Sequence, residues 1–420
     1  MKSESQLPTL KNEAQNPSKV KYVILFLLAG LLYCLLPLSH VKFGDIIITG
    51  KDQSPEAVVL EVLRKSPVLD THLDLPIALR EEFGLDFNAF NLTTPKPSPF
   101  PFHIDFQRTR EGHLGTASFS SFVECPKPGE ADTSVRDTLE QLDAVYLLEE
   151  LYPDYIKIVR SAHELEKLSP KKLGVMLSLE GGHHLGDSLG ALRVYARMGV
   201  KYITLAHNCD NVFADAAVEG QRTNHGLSDI GKALVQELNR NGVLVDISHT
   251  SDETAHQAID ANAGPLFWSH SGAREVFNHP RNVPDDLLHR LRDSPNDGVL
   301  QVVIAAADFM GDEPTIADVA NHIDHIAEVA GKSHVGIGSD FDGVPTTPEG
   351  LDDISKYPSL FVELYKRGWT KNELAGLARG NFIRILRKAE KVAKDLRRMQ
   401  SPVMDVPYTR HDLLDNRDKH

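Results

Sequence analysis

The chain has 420 residues, of which 41% are hydrophobic and 25% are charged, a composition typical of a globular protein and not of a disordered one. Its formal net charge of −14 argues against a nucleic-acid-binding surface, so we expect no nucleic-acid partner. The three cysteines, Cys34, Cys125 and Cys209, show no C-x-x-C spacing, which excludes a structural zinc knuckle.

The N-terminal region predicts a membrane anchor. Residues 1–21 are polar and contain lysines, whereas residues 22–38 are apolar throughout, close to the shortest length that spans a bilayer as a helix. Because the lysines precede the apolar stretch, we expect a cytosolic tail at 1–21, an uncleaved transmembrane signal anchor in the lipid bilayer at 22–38, and a linker at 39–54. A cleaved signal peptide and a buried soluble helix are the alternatives. The polar lead is long for a cleaved signal, and Ser39-His40-Val41 matches a small-residue cleavage site poorly.

This orientation makes the protein a single-pass membrane protein whose main part lies in the secretory lumen or outside the cell. A glycosylation sequon, Asn91-Leu92-Thr93, begins a proline-rich stretch and fits that location. We therefore expect Asn91 to be glycosylated.

Eight apolar runs indicate strands, and helical patterns separate most of them. The runs lie near residues 69, 118, 176, 203, 245, 267, 302 and 337, with helices predicted at 133–151, 189–198, 228–240, 316–330, 358–366 and 371–378. The runs are continuously apolar, as expected for parallel strands covered on both faces. This eightfold alternation predicts an α/β fold, a (β/α)8 TIM-type barrel over residues 55–390 followed by a polar C-terminal tail at 391–420. A doubly wound open sheet is the alternative. It is disfavoured because no G-x-G-x-x-G follows the first strand.

Polar side chains stand at the ends of these predicted strands. His72 and Asp74 follow the first run, and because they are two residues apart they project from one face of a strand. Further candidates at strand ends are Glu180, His207, His249, His270 and Asp340. In a barrel all these strand ends face one opening, where catalytic residues lie.

Nitrogen and oxygen ligands of this kind suit zinc, and their number suggests two ions. His72 and Asp74 can hold one Zn²⁺, His249 and His270 the other, and Glu180 is the natural bridging carboxylate. Two ions so placed can share a hydroxide and polarise a carbonyl oxygen. A covalent nucleophile such as serine is then not needed, because the metal-bound hydroxide can attack the carbonyl carbon directly.

The sequence resembles the membrane (renal-type) dipeptidases, binuclear zinc peptidases of the metallo-dependent hydrolase (amidohydrolase-like) group. The matching segments run in family order from about residue 55 to 390. They are DTHLDLP (70–76), SLEGGH (178–183), YITLAHNCDN (202–211), GLSDIGKALVQELNRNGVLVDISHTS (226–251), FWSHSGAR (267–274), RNVPDDLL (281–288), DHIAEVAGKSHVGIGSDFDGV (324–344) and GNFIRIL (380–386).

The resemblance implies the same metal ligands and adds roles for other residues. His207 would contact the tetrahedral oxyanion of the substrate, and Arg281 would bind the substrate carboxylate through its bidentate fork. Asp340 would take up the proton and meet the free amino end. Family members also join the segments that contain Cys125 and Cys209, which implies a disulfide between these residues.

We therefore expect hydrolysis of a dipeptide substrate by a hydroxide that bridges two zinc ions, with Glu180, His207 and Asp340 as catalytic residues. Hydrolysis of another small amide, such as a lactam or a Cys-Gly conjugate, is the alternative in the same chemical class. A catalytically inactive, membrane-tethered binding protein is the alternative in a different class, although no ligand is missing. The sequence leaves a homodimer open.

Overall fold

The computed structural model describes residues 54–93, 102–126, 133–218, 220 and 222–404. The expected cytosolic tail at 1–21, the expected anchor at 22–38 and the linker up to residue 53 lie outside these residues. Among the described helices, none combines the length and the apolar character that a bilayer span requires.

The strands of the described chain form one parallel sheet. They are β1 (Val68–Leu73), β2 (Leu114–Phe122), β3 (Ile156–Ile158), β4 (Leu173–Glu180), β5 (Val200–Thr204), β6 (Leu244–Asp246), β7 (Leu266–Ser271), β8 (Gly298–Val302) and β9 (Val335–Ile337).

The helices that surround the sheet are α1 (Pro55–Lys65), α2 (Leu75–Phe83), α3 (Phe106–Glu111), α4 (Ser134–Leu151), α5 (Ala162–Lys167), α6 (Leu189–Met198), α7 (Asp229–Asn241), α8 (Asp252–Ala261), α9 (Asp285–Asp293), α10 (Ala307–Met310), α11 (Ile316–Val329), α12 (Tyr357–Lys366), α13 (Lys371–Ala375) and α14 (Asn381–Arg398). Local sequence sets several of their ends. The hydroxyls of Ser228 and Ser251 accept N–H groups in the first turns of α7 and α8, and Gly199 and Gly242 end α6 and α7 in the left-handed conformation.

The sheet closes into an eight-stranded barrel, which confirms the predicted (β/α)8 fold. Strands pair in the order β2, β1, β9, β8, β7, β6, β5, β4, and β4 pairs again with β2. The β2–β4 contact that closes the ring runs from Thr116 opposite Gly174 to Phe122 opposite Glu180. Each of the eight predicted strands is present.

The short strand β3 is an addition that the sequence pattern did not predict. It pairs with the first residues of β4, Leu173 to Val175, whereas β5 pairs with β4 only from Leu177 onward. Strand β3 therefore covers a length of the β4 edge that β5 does not reach, which satisfies backbone groups that would otherwise be unpaired.

The C-terminal helix α14 closes the floor of the barrel, at the end opposite the strand ends that carry the polar residues. Its buried side chains Phe382, Ile385, Leu386 and Ala389 pack against interior residues of the strands, including Phe267. The helix continues to Arg398, past residue 390, where we expected the domain to end. Only the last part of the expected tail, residues 405–420, lies outside the described chain.

Candidate metal centre

The carboxyl ends of the strands bring the predicted ligands together around Glu180, the last residue of β4. Its Oε1 lies 3.0 Å from Nε2 of His249, 3.3 Å from Nε2 of His72 and 3.3 Å from Nε2 of His270. Asp74 Oδ2 lies 3.5 Å from Nε2 of His72. These five side chains are buried, and they belong to, or closely follow, four different strands.

Hydrogen bonds on the far side of each imidazole determine which ring nitrogen faces the centre. The Tyr202 hydroxyl donates to the Thr71 carbonyl, so at 2.8 Å it accepts from Nδ1 of His72. The Asn208 carbonyl oxygen accepts from Nδ1 of His249 at 3.1 Å. With the proton on Nδ1, the lone pair of Nε2 points into the centre, as a metal ligand requires.

The donor set fits a metal ion. Nε2 of His249 and Nε2 of His270 lie 2.8 Å apart, and two lone pairs at that distance repel unless a cation lies between or beside them. Nε2 of His72 and both carboxylate oxygens of Asp74 are buried and make no hydrogen bond within the described residues. Buried polar atoms left in this state cost free energy, which metal coordination would recover.

The carboxylates at the centre differ in their electrostatics. Burial opposes ionisation of Glu180, but the surrounding imidazoles, chiefly His72 and His207, hold the pKa of Glu180 well below its usual range. Burial, with the negative charges of Glu180 and Asp340, raises the pKa of Asp74 well above its ordinary value despite His72. These carboxyl groups cannot all ionise side by side unless a cation is bound between them.

The imidazoles of the second ligand pair are held neutral. Burial, with the nearby charge of Arg281, lowers the pKa of His249 far below its ordinary value. Burial and the neighbouring His72 do the same to the pKa of His270. Burial also lowers the pKa of His207 to about 4. Neutral imidazole is the form that binds a metal ion or donates a neutral hydrogen bond.

A cavity of about 610 Å³ opens above the centre, and its walls include the three residues predicted to bind substrate: His207, Arg281 and Asp340. Arg281 is 6% exposed, and its guanidinium lies 5.1 Å from the centre of the Phe309 ring. Asp340 Oδ1 lies 3.7 Å from Nε2 of His72. The cavity has the size of a small-molecule site.

The loop after β9 approaches the centre so closely that it needs a glycine. A Cβ atom on Gly343 would lie 2.2 Å from Oδ2 of Asp74 and 3.0 Å from Oδ1 of Asp340. The backbone at this position therefore packs directly against the carboxylates.

Two buried carboxylates beneath the centre were missing from the sequence prediction. Asp70 accepts N–H groups of His72 and Ser339 at 3.0 and 2.9 Å, as well as the hydroxyls of Ser339 and Tyr357. Asp246 makes a matching set of bonds to the ends of β6 and β7, where its carboxylate accepts the N–H groups of Ser248 and Ser269. The available signal was Asp two residues before His72 or Ser248, together with a Ser that directly precedes His249, His270 and Asp340.

The predicted disulfide between Cys125 and Cys209 is present, which confirms that pairing. It joins the segment after β2 to the segment after β5 that carries His207. The His183 side chain lies beside it, close enough that the three residues form a group of metal-ligand type, but both sulfur atoms are used in the disulfide. Cys34 lies outside the described residues, and Asn91 lies at their edge, just before the undescribed residues 94–101.

Comparison with known proteins identifies relatives along nearly the whole described chain. The family model of membrane dipeptidase (peptidase family M19) matches residues 56–400. An uncharacterized dipeptidase of Schizosaccharomyces pombe is 40% identical over 404 residues, 92% of this chain and 95% of the relative. Dipeptidase aclJ of Aspergillus oryzae is 36% identical over 374 residues, 87% of this chain and 86% of the relative.

Solved structures show the same fold. A metallopeptidase from Rhodobacter sphaeroides, bound to a phosphinate mimic of the dipeptide L-Ala-D-Ala, matches with a TM-score of 0.69 and 23% identity. The match covers 77% of this chain and 99% of that protein.

Proposed function

We propose zinc-dependent hydrolysis of dipeptides as the reaction of this chain, which belongs to the membrane dipeptidase family, peptidase family M19. The observation that carries the proposal is the pair of Nε2 atoms of His249 and His270, 2.8 Å apart, that both face the Glu180 carboxylate. His72 and Asp74 would hold one zinc ion and His249 and His270 the other, with Glu180 between them. Zinc held there would supply a bridging hydroxide as nucleophile and a Lewis acid for the peptide carbonyl.

The chain's own residues then bind and orient the dipeptide. Arg281 presents a planar fork of donors to the terminal carboxylate of the substrate. The neutral imidazole of His207 donates a hydrogen bond to the carbonyl oxygen as negative charge develops on it. Asp340, at the edge of the ligand cluster, accepts the free amino group and takes up the proton that the leaving amine later needs.

The full set of candidate ligands favours an active enzyme over an inactive binding protein. Hydrolysis of another small amide, a lactam or a Cys-Gly conjugate, would use the same residues, so a substrate panel has to separate these reactions.

We also propose that the catalytic domain is lumenal or extracellular and anchored through residues 22–38. The disulfide supports that location, because disulfides persist in oxidising compartments.

Metal analysis of two ligand variants tests the proposed function. Asp74→Ala and His249→Ala remove ligands on opposite sides of Glu180, so each variant should bind fewer zinc ions than the parent, which should bind two. Activity on dipeptides should fall to background in both, while the exposed His163→Ala variant keeps zinc and activity. A variant that retains two zinc ions would show that its residue is not a ligand. A parent that hydrolyses only lactams or Cys-Gly conjugates would refute dipeptide hydrolysis.

A further inference from the structure

We propose that Asp246 and Ser269 are positioning residues that fix the tautomer and orientation of His270. They would thereby set the zinc affinity of the site formed by His249 and His270. This inference rests on the proposed metal site. It concerns residues on β6 and β7 that lie below the ligands and do not contact the substrate cavity.

Asp246 is fully buried, and its carboxylate accepts four hydrogen bonds. Its Oδ1 accepts the N–H groups of Ser248 at 3.1 Å and Ser269 at 2.8 Å. Its Oδ2 accepts the hydroxyls of Thr204 and Ser269, each at 2.6 Å. One carboxylate therefore joins the ends of β5, β6 and β7, which carry or precede three of the candidate site residues.

The direction of the Ser269 hydrogen bond decides the tautomer of His270. Ser269 has one hydroxyl proton, and we place it on the 2.6 Å bond to Asp246 because the other acceptor, the Ser248 hydroxyl oxygen, lies farther away at 3.3 Å. A lone pair of the same oxygen is left to accept Nδ1–H of His270, which lies 2.9 Å away. Nε2 of His270 then carries a lone pair and faces Glu180.

The same carboxylate also steadies the other ligand of this pair. Ser248, whose N–H it holds, directly precedes His249, and the Ser248 hydroxyl accepts the N–H of His270 at 3.2 Å. His249 has φ of +64°, a conformation that non-glycine residues rarely adopt. Such a conformation persists only where surrounding bonds hold it.

If Asp246 had a purely structural role, loss of either hydroxyl that bonds it should have the same effect on zinc binding. A positioning role instead predicts different effects for the two hydroxyls. Ser269→Ala removes the hydroxyl that contacts both Asp246 and His270. Thr204→Val removes a hydroxyl that bonds the same carboxylate oxygen at the same 2.6 Å but does not contact His270. The two variants should therefore lose similar stability in the metal-free state, measured by thermal unfolding in the presence of a chelator.

Zinc affinity, measured by competition with a chromophoric chelator, should separate them. Ser269→Ala should lower the affinity for one of the two zinc ions by about 10- to 100-fold and leave the affinity for the other unchanged. A loss of this size is typical when a ligand histidine loses the hydrogen bond to its other ring nitrogen. Thr204→Val should bind both ions with parental affinity. Asp246→Asn has the same volume as the parent residue. In this variant the side-chain amide would donate to the Ser269 oxygen, so the Ser269 hydroxyl would donate to Nδ1 of His270 and no longer accept from it. The affinity for the same ion should therefore fall at least as far as in Ser269→Ala.

Parental affinity for both ions in Ser269→Ala and Asp246→Asn, or an equal loss in Thr204→Val, would overturn the positioning role. A parent protein that binds no zinc would instead refute the proposed function on which the inference rests. The two failures are therefore distinguishable in one series of titrations.

Discussion

Single residues at the centre adopt backbone conformations that the surrounding hydrogen bonds must hold. His249 and Asp340 have φ of +64° and +68°, and neither is glycine. The His249 carbonyl accepts the N–H of Ala217 at 2.6 Å, and the Asp340 N–H donates to the His72 carbonyl at 3.0 Å. Each residue also follows a serine whose N–H donates to a buried aspartate, Ser248 to Asp246 and Ser339 to Asp70. The left-handed turns, unfavourable by about 1–3 kcal/mol each, are thus stabilised at the strand ends where side chains must face the opening.

Replacement of Arg281 by lysine should raise KM for free dipeptides by roughly 10- to 100-fold, since a charge-assisted bond contributes about 1.5–3 kcal/mol. Lysine keeps the charge but loses the planar fork and the stacking on Phe309. Steady-state kinetics on a dipeptide and its C-terminal amide measure the effect. The amide should be a poor substrate for the parent and should differ little between the two proteins.

Arg274→Lys is the matched control. This arginine lies on the same loop and makes two bonds to Asp252 at 2.6 and 2.8 Å, but it does not line the cavity. KM should stay near the parental value in this variant. Equal parental rates on dipeptides and their amides would contradict carboxylate binding by Arg281.

Sequence reasoning could place the candidate ligands because each follows an apolar strand, and the barrel geometry brings strand ends together. It could not place Asp246, since the residues that bond this carboxylate come from strands 23 and 42 positions away in the chain. The buried Asp70 was hidden for the same reason, as its partner Ser339 is 269 positions away. The local signal, an Asp two residues before His72 or Ser248, does not identify these hydrogen-bond partners, which follow from the closed barrel.

Among the secondary-structure elements, continuity of apolar residues decided which could be predicted. The eight barrel strands are buried on both faces, so each appears in the sequence as a continuous apolar run that could be recognised. Strand β3 has only three residues and an exposed Lys157 between two buried isoleucines, too short a pattern to detect. Helix α14 was not predicted, and its last turns were assigned to a polar tail, because charged residues dominate its outer face. Its buried stripe continues through Ala389 to Ala393, with the spacing of one helix face.

The packing of α14 against the barrel floor predicts a large effect from one side chain. Phe382 is 2% exposed, and its ring lies 5.6 Å from that of Phe267 in the barrel interior. Phe382→Ala should lower the free energy of unfolding by about 3–5 kcal/mol, through lost burial and a cavity. Denaturant unfolding measures this loss.

Lys391→Ala on the same helix is the control, because the Lys391 side chain is 77% exposed. Its stability should stay within about 0.5 kcal/mol of the parent. At temperatures where the Phe382→Ala variant remains folded, the KM of this variant for dipeptides should equal the parental value, because the floor lies at the end of the barrel opposite the cavity. A stability loss in Phe382→Ala no larger than in Lys391→Ala would contradict a sealing role for α14.

For the whole molecule, the catalytic domain is acidic, carries a disulfide that joins two βα loops, and follows an apolar stretch at 22–38. The disulfide and the apolar stretch support the proposal that the domain is anchored by its N-terminus and exposed to an oxidising compartment. The disulfide closes a loop of 84 residues, for which chain-entropy models give about 4.6 kcal/mol of stabilisation. It also ties down the segment that carries His207.

Glycosylation at Asn91 tests that location on the full chain in eukaryotic cells. Asn91-Leu92-Thr93 is the only N-x-S/T sequon with a permitted middle residue in the sequence. Endoglycosidase should therefore shift the gel mobility of the parent and of Thr93→Ser, which keeps the sequon, but not of Asn91→Gln or Thr93→Ala. Peptide mapping without reduction should find Cys125 joined to Cys209 in the same material. Parent protein with no endoglycosidase-sensitive shift, and with both cysteines alkylated before reduction, would place the domain in the cytosol. The apolar stretch would then need another explanation, because a signal anchor with lysines on its N-terminal side sends the following domain across the membrane.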